Sequence, residues 1–280
     1  MKSNLKHYFP LFVLPTLAAF LIAFLIPFIV GFFLSFCKFT TLKKVSFVGF
    51  QNYRDIFATR LGFTSAFIFT VLVVIVSIIT VNLFAFAIAW ALTRKLNGTN
   101  FFRTVFFMPN LIGGIVLGYT WQIIINSVLL KYGTTLATDW KYGYLGLIIL
   151  INWQLVGYMM IIYIAGLQNV PPELTEAAKI DGASPWEVLR NVTIPMVMPS
   201  ITICLFLTLS NTFKMYDQNL ALTNGAPSRQ TEMVALNIVN TMFRQHKEGI
   251  GQAKAVIFVV VVVAIAMFQL RATRSKEIEA

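Results

Sequence analysis

Charged residues divide the chain into long apolar runs. Five uncharged runs exceed the roughly 20 residues that a helix needs to cross a bilayer, and they occupy residues 8–37, 61–93, 104–130, 142–172 and 191–213. A sixth run, 255–270, counts 16 residues between Lys254 and Arg271. Because a lysine stem lets its ammonium group snorkel to the interface, this helix can begin near Gly249. The pattern predicts six transmembrane helices and an all-α integral membrane protein.

Composition also favours a location in the bilayer. The 280 residues are 58% hydrophobic and 12% charged, which is more apolar side chain than a soluble domain covers. The net charge of +11 comes from Lys and Arg residues scattered among membrane-flanking segments, without a basic helix or an aromatic RNA-binding motif. Anionic lipid headgroups are therefore the expected partner, and nucleic acid is not. Cys37 and Cys204 are too few for a disulfide framework or a metal cluster.

The first apolar run follows Lys2 and Lys6, as the core of a signal peptide would. It is roughly twice the usual length of such a core, contains Pro27 and shows no evident small-residue cleavage site. We therefore expect a retained membrane helix. Six spans place both termini on one side of the membrane, but that side holds 10 Lys and Arg against 12 on the other. The positive-inside rule consequently gives no orientation.

The most polar and acidic segment between predicted spans is 171–195, "PPELTEAAKIDGASPWEVLRNVTIP". Pro172 suits the first position of a short helix, and Glu173 and Glu176 suit its positive N-terminal end. Glu176 can pair with Lys179 at i,i+3, and Gly182 can cap the C-terminal end. The segment therefore predicts a helix of about ten residues, which is marginal on its own in water.

A second helix is predicted directly after Gly182. Ser184 and Glu187 form a potential capping box around Pro185, and apolar residues continue the helix to Pro195. The motif is a helix, a glycine turn and a helix, on which we expect another protein to dock. The alternative is an amphipathic connector that rests on lipid headgroups.

The same segment carries a family resemblance. It contains Glu176, Ala177, Ala178, Asp181 and Gly182, followed by "VTIP" at 192–195. This spacing resembles the EAA signature of the permease subunits of binding-protein-dependent ABC importers, with Val192 and Ile194 in place of the usual Ile and Leu. Further stretches resemble sugar permeases akin to the maltose-transport subunit: "FVGFQNYRDIF" (47–57), "FRTVFFMPNLIGG" (102–114), "NWQLVGYMM" (152–160), "LTNGAP" (222–227) and "LRATR" (270–274).

This resemblance implies a type I ABC importer permease (MetI-like) fold with a cytoplasmic coupling helix. The implied organisation is a first transmembrane helix with an external loop in residues 1–60, a five-helix core in 61–271 that includes the coupling loop 171–195, and a cytoplasmic tail in 272–280. Both termini are then cytoplasmic, and the chain is a multi-pass protein of a bacterial cytoplasmic (inner) membrane.

The resemblance also implies the partners. These are a second, different permease, two ATPase subunits that bind ATP and Mg, and an extracytoplasmic solute-binding protein. The chain itself is expected to be neither an enzyme nor a cofactor-binding protein. None of its 16 glycines is followed by lysine, so the sequence contains no G-x-x-x-x-G-K-[ST] phosphate loop.

Two stretches supply candidate substrate-path residues. By likeness to sugar permeases, "NWQLVGYMM" places Gln154, Leu155 and Tyr158 on the path, although a polar contact between helices is an equal alternative for Gln154 and Tyr158. The stretch with Lys214 and Met215 resembles the fifth span of these permeases, where uncharged polar side chains meet the substrate. Lys214 therefore lies on the path, pairs with Asp217, one turn later, or sits at the outer membrane interface.

The nature of the cargo is left open. A neutral saccharide is the leading expectation, because much of the external charge can meet lipid or an acidic binding protein instead. An acidic saccharide is the alternative, to which Lys214 and a net charge of +7 on the external segments against +4 on the cytoplasmic ones point. Another solute, such as phosphate, an amino acid or a polyamine, is the alternative within ABC importers. An ion-coupled carrier is disfavoured, because none of the 11 acidic residues lies inside a predicted span. A purely structural membrane subunit is disfavoured mainly by the EAA segment.

Overall fold

The structure is a computed structural model that describes residues 13–39, 41, 44–57, 61–94 and 98–275. Two parts of the predictions fall outside these residues: the lysines that precede the first apolar run, and the last five residues of the predicted tail. Within the described part, six helices are long and apolar enough to cross a membrane. They are α1 (Val13–Leu34), α3 (Phe63–Leu92), α5 (Gly114–Leu129, extended by a 3-10 turn to Tyr132), α6 (Trp140–Gln168), α8 (Pro185–Phe213) and α11 (Glu248–Arg274).

Shorter elements connect these helices. The loops after the first, third and fifth spans form one set. They contain the strands β1 (Cys37–Phe39) and β2 (Val45–Phe47) and the helices α2 (Gln51–Asp55), α9 (Asp217–Leu222) and α10 (Val234–Val239). The loops after the second and fourth spans form the other set and contain α4 (Thr99–Phe107), which a 3-10 turn Met108–Leu111 follows, and α7 (Pro172–Ile180). The antiparallel pair β1–β2 is the single sheet among the described residues and was not predicted.

The prediction of six apolar helices is confirmed, but two helices begin elsewhere than expected. The charge-free run 104–130 contains two elements, because α4 ends at Phe107 and α5 starts at Gly114. The last helix begins at Glu248, next to the expected Gly249.

The predicted end of the second short helix at Pro195 is wrong. The helix that starts after Ser184 continues as α8 to Phe213. It passes through a π-helical turn at Leu189–Thr193 immediately before Pro195. Proline lacks a backbone donor, and local π adjustments are one way in which membrane helices accommodate it. The predicted second short helix and the fifth membrane span are therefore one continuous helix.

The chain forms two compact units, and the larger one comprises Thr64–Asn237 and Val260–Ala280. Helix α6 is the most buried span among the described helices, because 56% of its most apolar 18-residue stretch is buried. Its glycines allow close approach of neighbouring elements: at Gly157 the α6 backbone lies against the Phe106 carbonyl of α4. Gly118 of α5 similarly faces Ala221 of α9, where an added Cβ would lie 2.5 Å from the alanine methyl. Small residues thus set the packing distances in this unit.

The smaller unit comprises Met1–Phe63 and Ile238–Val259. Here the buried Asn52 of α2 donates through Nδ2 to the carbonyls of Ser35 (2.8 Å) and Cys37 (2.9 Å). Gly249, in the first turn of α11, packs against the Cys37 carbonyl. These contacts hold the segment after α1 to the start of α11.

The expectation that Lys254 snorkels to the interface is wrong. Its side chain is fully buried, and Nζ donates to Thr241 Oγ1 (2.7 Å) and to the Leu61 carbonyl (3.2 Å). The ammonium group also lies 5.7 Å from the ring centroid of Phe63. Buried charges require such hydrogen-bond partners, so Lys254 ties the start of α3 and the turn before α11 to α11 itself.

Replacing Gly157 with Ala is expected to destabilise the protein by about 1–3 kcal/mol, the usual cost of overpacking. The added methyl group would overlap the Phe106 carbonyl and push α4 away from α6. The thermal unfolding midpoint of the detergent-purified protein measures this effect. Gly113→Ala is the matched control, because a Cβ there meets nothing within 4 Å. Equal midpoints for the two variants would contradict the assigned contact.

Candidate functional site

A polar cavity of about 420 Å³ lies among α6, the end of α8, α9 and the 3-10 turn after α4. All five predicted path residues line it, together with three that the sequence analysis did not single out. The lining residues are Asn110, Gln154, Leu155, Tyr158, Asn211, Lys214, Met215 and Gln218. Concave sites with a few convergent polar groups are the usual form of small-molecule sites.

Helix α6 presents Gln154 and Tyr158 to the cavity because residues four apart share one helical face. The amides of Gln154 and Gln218 meet across the cavity wall, where Gln218 Nε2 donates to Gln154 Oε1 at 2.9 Å. Gln154 is 8% exposed, so its amide needs this partner. Gln154 thus lines the cavity and also makes the contact between helices that was its alternative role.

Tyr158 and Leu155 complete the α6 wall. The Tyr158 ring packs 6.4 Å from the ring of Phe107, which keeps it beside the end of α4. Its hydroxyl makes no hydrogen bond to any residue that the structure describes. A tyrosine in this setting can stack on an apolar surface and still offer a hydrogen bond.

Lys214 does not pair with Asp217, and that alternative is wrong for the described structure. Lys214 caps the C-terminal end of α8, its side chain is exposed, and its ammonium group makes no hydrogen bond or ion pair within the described residues. Asp217 lies close to α5, with its Cβ 2.8 Å from the position that a Cβ on Gly114 would take. Within the described residues, an ion pair joins Arg229 and Glu232 instead, at 2.7 Å.

Asn110, Asn211 and Gln218 are the cavity residues that sequence reasoning missed. Asn211, Lys214, Met215 and Gln218 follow the spacing i, i+3, i+4 and i+7 of one helical face, so this pattern could have found two of them. Asn110 had no such signal. It reaches the cavity because the 3-10 turn Met108–Leu111 redirects the chain between α4 and α5.

The second candidate region is the exposed segment from α7 to the start of α8. Helix α7 begins at Pro172 as predicted, and Gly182 adopts φ +84° directly after it. The Gly182 N–H donates to the Lys179 carbonyl (3.1 Å) and the Ala183 N–H to the Ala178 carbonyl (2.9 Å). This pair of bonds is a Schellman motif, which requires a left-handed residue that glycine supplies without strain.

The predicted capping box at the start of α8 is present. The Ser184 N–H donates to Glu187 Oε2 (2.8 Å), and the Glu187 N–H donates to Ser184 Oγ (3.4 Å). Helix α8 has 29 residues, which corresponds to about 43 Å. It therefore joins the segment at Ser184 directly to Asn211 and Lys214 in the cavity.

The outer surface of this segment is open. Glu176, Ala177, Asp181 and Gly182 are exposed and Ala178 is half-buried. The predicted pair between Glu176 and Lys179 is not formed, so both charges face outward. Large apolar side chains are exposed beside them: Ile180 is 86% exposed and Trp186 is 65% exposed. Exposed apolar groups in a charged rim are typical of a protein interaction site.

Metal chemistry is not indicated in the part of the chain that the structure describes. No group of three or more His, Cys, Asp or Glu side chains is placed to hold an ion there. Cys37 and Cys204 are both buried and unbonded to each other.

Residues 85–275 match the protein family described as the binding-protein-dependent transport system inner membrane component. AmyD of Thermoanaerobacterium thermosulfurigenes, a probable permease protein of a transport system for starch degradation products, is 39% identical over 277 residues, which cover 96% of this chain and 94% of AmyD. MsmF of Streptococcus mutans, a permease protein of a multiple sugar-binding transport system, is 30% identical over 254 residues, 87% of each chain.

The fold is similar to that of a chain in a solved bacterial ABC transporter involved in the import of the acidic polysaccharide alginate. The TM-score is 0.82, the sequence identity is 20%, and the alignment covers 98% of both chains. At this identity the similarity concerns the fold alone.

Proposed function

This chain belongs to the family of binding-protein-dependent transport system inner membrane components, and we propose that it lines the membrane path of an ATP-driven saccharide importer. It is a multi-pass permease subunit, a non-catalytic component of an ABC transporter. The observation that carries the saccharide assignment is the 39% identity with AmyD along 96% of the chain. A cavity lined by four carboxamides and a tyrosine suits a ligand rich in hydroxyl groups.

The cavity is proposed as one half of the translocation path. Gln154, Tyr158, Lys214 and their neighbours would contact the sugar, and a second, different permease would supply the facing wall. Helix α1 supports an assembly of this kind, because no part of its most apolar 18-residue stretch is buried within the chain. Its surface must contact lipid or another subunit, and we propose that it wraps around the partner permease.

The segment from α7 to the first turn of α8 is proposed as the coupling segment for the ATPase subunits. Its exposed Ile180 and Trp186 would enter a cleft of an ATPase subunit, and the outward Glu176 would meet a complementary charge. ATP and Mg are then bound by those subunits, since this sequence has no phosphate loop. The two capping motifs support the proposal, because they define the shape of the segment before any partner binds.

Alternating access is the mechanism proposed for this assembly. Closure of the ATPase pair would move the coupling segments, and α8 would carry that movement to Asn211 and Lys214. An extracytoplasmic binding protein would deliver the saccharide while the path is open outward, and hydrolysis would restore the inward-open state. In this topology both termini and the coupling segment are cytoplasmic, in a bacterial cytoplasmic membrane.

Gly182→Val is expected to uncouple ATP hydrolysis from uptake. Valine at φ +84° is strained, so the turn that orients α7 against α8 would be lost. Uptake and sugar-stimulated ATPase activity of the reconstituted importer should fall about 5- to 150-fold, the range of a lost coupling free energy, while membrane insertion is kept. The matched control is Gly133→Val, a strained position (φ +71°) in open space on the opposite loops. Normal coupling in the Gly182 variant would refute the coupling assignment.

Gln154→Leu should raise the KM for sugar uptake about 2- to 10-fold, the effect of losing one hydrogen bond. The variant removes a cavity amide and leaves Gln218 without its partner. Gln122→Leu serves as the control, because Gln122 donates to the Leu222 carbonyl (3.0 Å) but does not line the cavity. We expect that control to lower the unfolding midpoint without raising KM. An unchanged KM in Gln154→Leu would exclude Gln154 from the path.

Thiol labelling in intact cells tests the proposed topology. Cysteines at Gln51 and Ser228 should react with an impermeant maleimide, whereas cysteines at Asn100 and Glu173 should react only after permeabilisation. All four positions are exposed, and the native Cys37 and Cys204 are buried, which keeps background labelling low. The reverse pattern would invert the assigned orientation.

A further inference from the structure

Lys214 places a positive charge in a cavity whose other polar groups are neutral. The lining consists of four carboxamides, a phenol, two apolar side chains and this ammonium group, and it contains no carboxylate. Lys214 forms no ion pair with any carboxylate that the structure describes, Asp217 included. A cation in such a site tends to face a cavity or a partner of opposite charge.

The backbone position of Lys214 favours a cation but does not require a lysine. The helix dipole favours any cation at the C-terminal end of α8, and an arginine would satisfy the same preference. A glutamine would not, and it would also remove the charge from the cavity. These two substitutions therefore separate the general effect of charge from the specific effect of the lysine.

The surface on the same side as Lys214 is also electropositive. The segments assigned to that side carry 12 Lys and Arg against five acidic residues. The surplus is smaller than this count suggests, since Lys254 is buried. The remaining net charge of these segments is still positive and would attract an anionic solute toward the cavity.

We propose that the cargo is an acidic saccharide, whose carboxylate or sulfate group pairs with Lys214 during transit. This inference rests on the saccharide-import function proposed above. The surrounding amides would bind the hydroxyl groups, and the ammonium group would select the anionic group. Charge-assisted hydrogen bonds are the strong ones, and one of them is worth about 10- to 100-fold in discrimination.

The test is uptake by proteoliposomes that contain the complete importer and its binding protein. The probes are α-glucan oligosaccharides of equal length, supplied in matched neutral, uronate-containing and sulfated forms. In the native importer, uptake of an anionic form should exceed that of its neutral match. Lys214→Gln should lower this ratio about 10- to 100-fold, and Lys214→Arg should keep most of it. Lys131→Gln, an exposed lysine outside the cavity on the same set of loops, should leave the ratio unchanged.

The outcomes separate this inference from the function on which it rests. Uptake of neutral forms only, or an anionic-to-neutral ratio that Lys214→Gln does not change, would overturn the acidic cargo and leave the saccharide importer intact. Equal loss of both forms in the Gln and Arg variants would make Lys214 a structural residue and would also overturn the inference. Uptake of none of the sugars would refute the saccharide function and the inference together.

Discussion

The continuity of α8 is the constraint on which the rest of the site depends. The helix starts at the capping box of Ser184 on an exposed loop and ends at Lys214 in the polar cavity. It is unbroken through Pro195 and Pro199 because a π-helical turn precedes the first proline. If the helix ended at Pro195, the exposed segment and the cavity would be mechanically independent. Because it continues, a displacement of one end reaches the other.

The opposite wall of the cavity depends on close backbone packing. Gly157 lets the end of α4 approach α6, and the 3-10 turn that follows then carries Asn110 to the side of Tyr158. The Gln154–Gln218 bond fixes α9 against α6 in the same way. The cavity is therefore built from helix crossings rather than from a flexible loop, which favours a fixed arrangement of its polar groups.

The sequence predicted those features that depend on local chemistry. Apolar length gave the six helices, and the residues at Pro172, Gly182 and Ser184 gave the two capped helix ends. It did not reveal the fate of residues whose environment depends on tertiary packing. Lys254 was expected at the interface, but acceptors from distant segments hold it inside; Lys214 was compatible with an Asp217 pair, but α5 packs against that aspartate. Asn110 reaches the cavity from a 3-10 turn, so no helical periodicity in the sequence could have identified it.

The most direct test of the proposed function is ATP-dependent accumulation of a labelled saccharide in proteoliposomes that contain this permease, its partner permease, the ATPase subunits and the binding protein. The saccharide should accumulate against a gradient only when ATP and the binding protein are present, and collapse of the proton and sodium gradients should not change this. Accumulation that follows an ion gradient without ATP, or no accumulation of any saccharide, would rule out an ATP-driven saccharide importer.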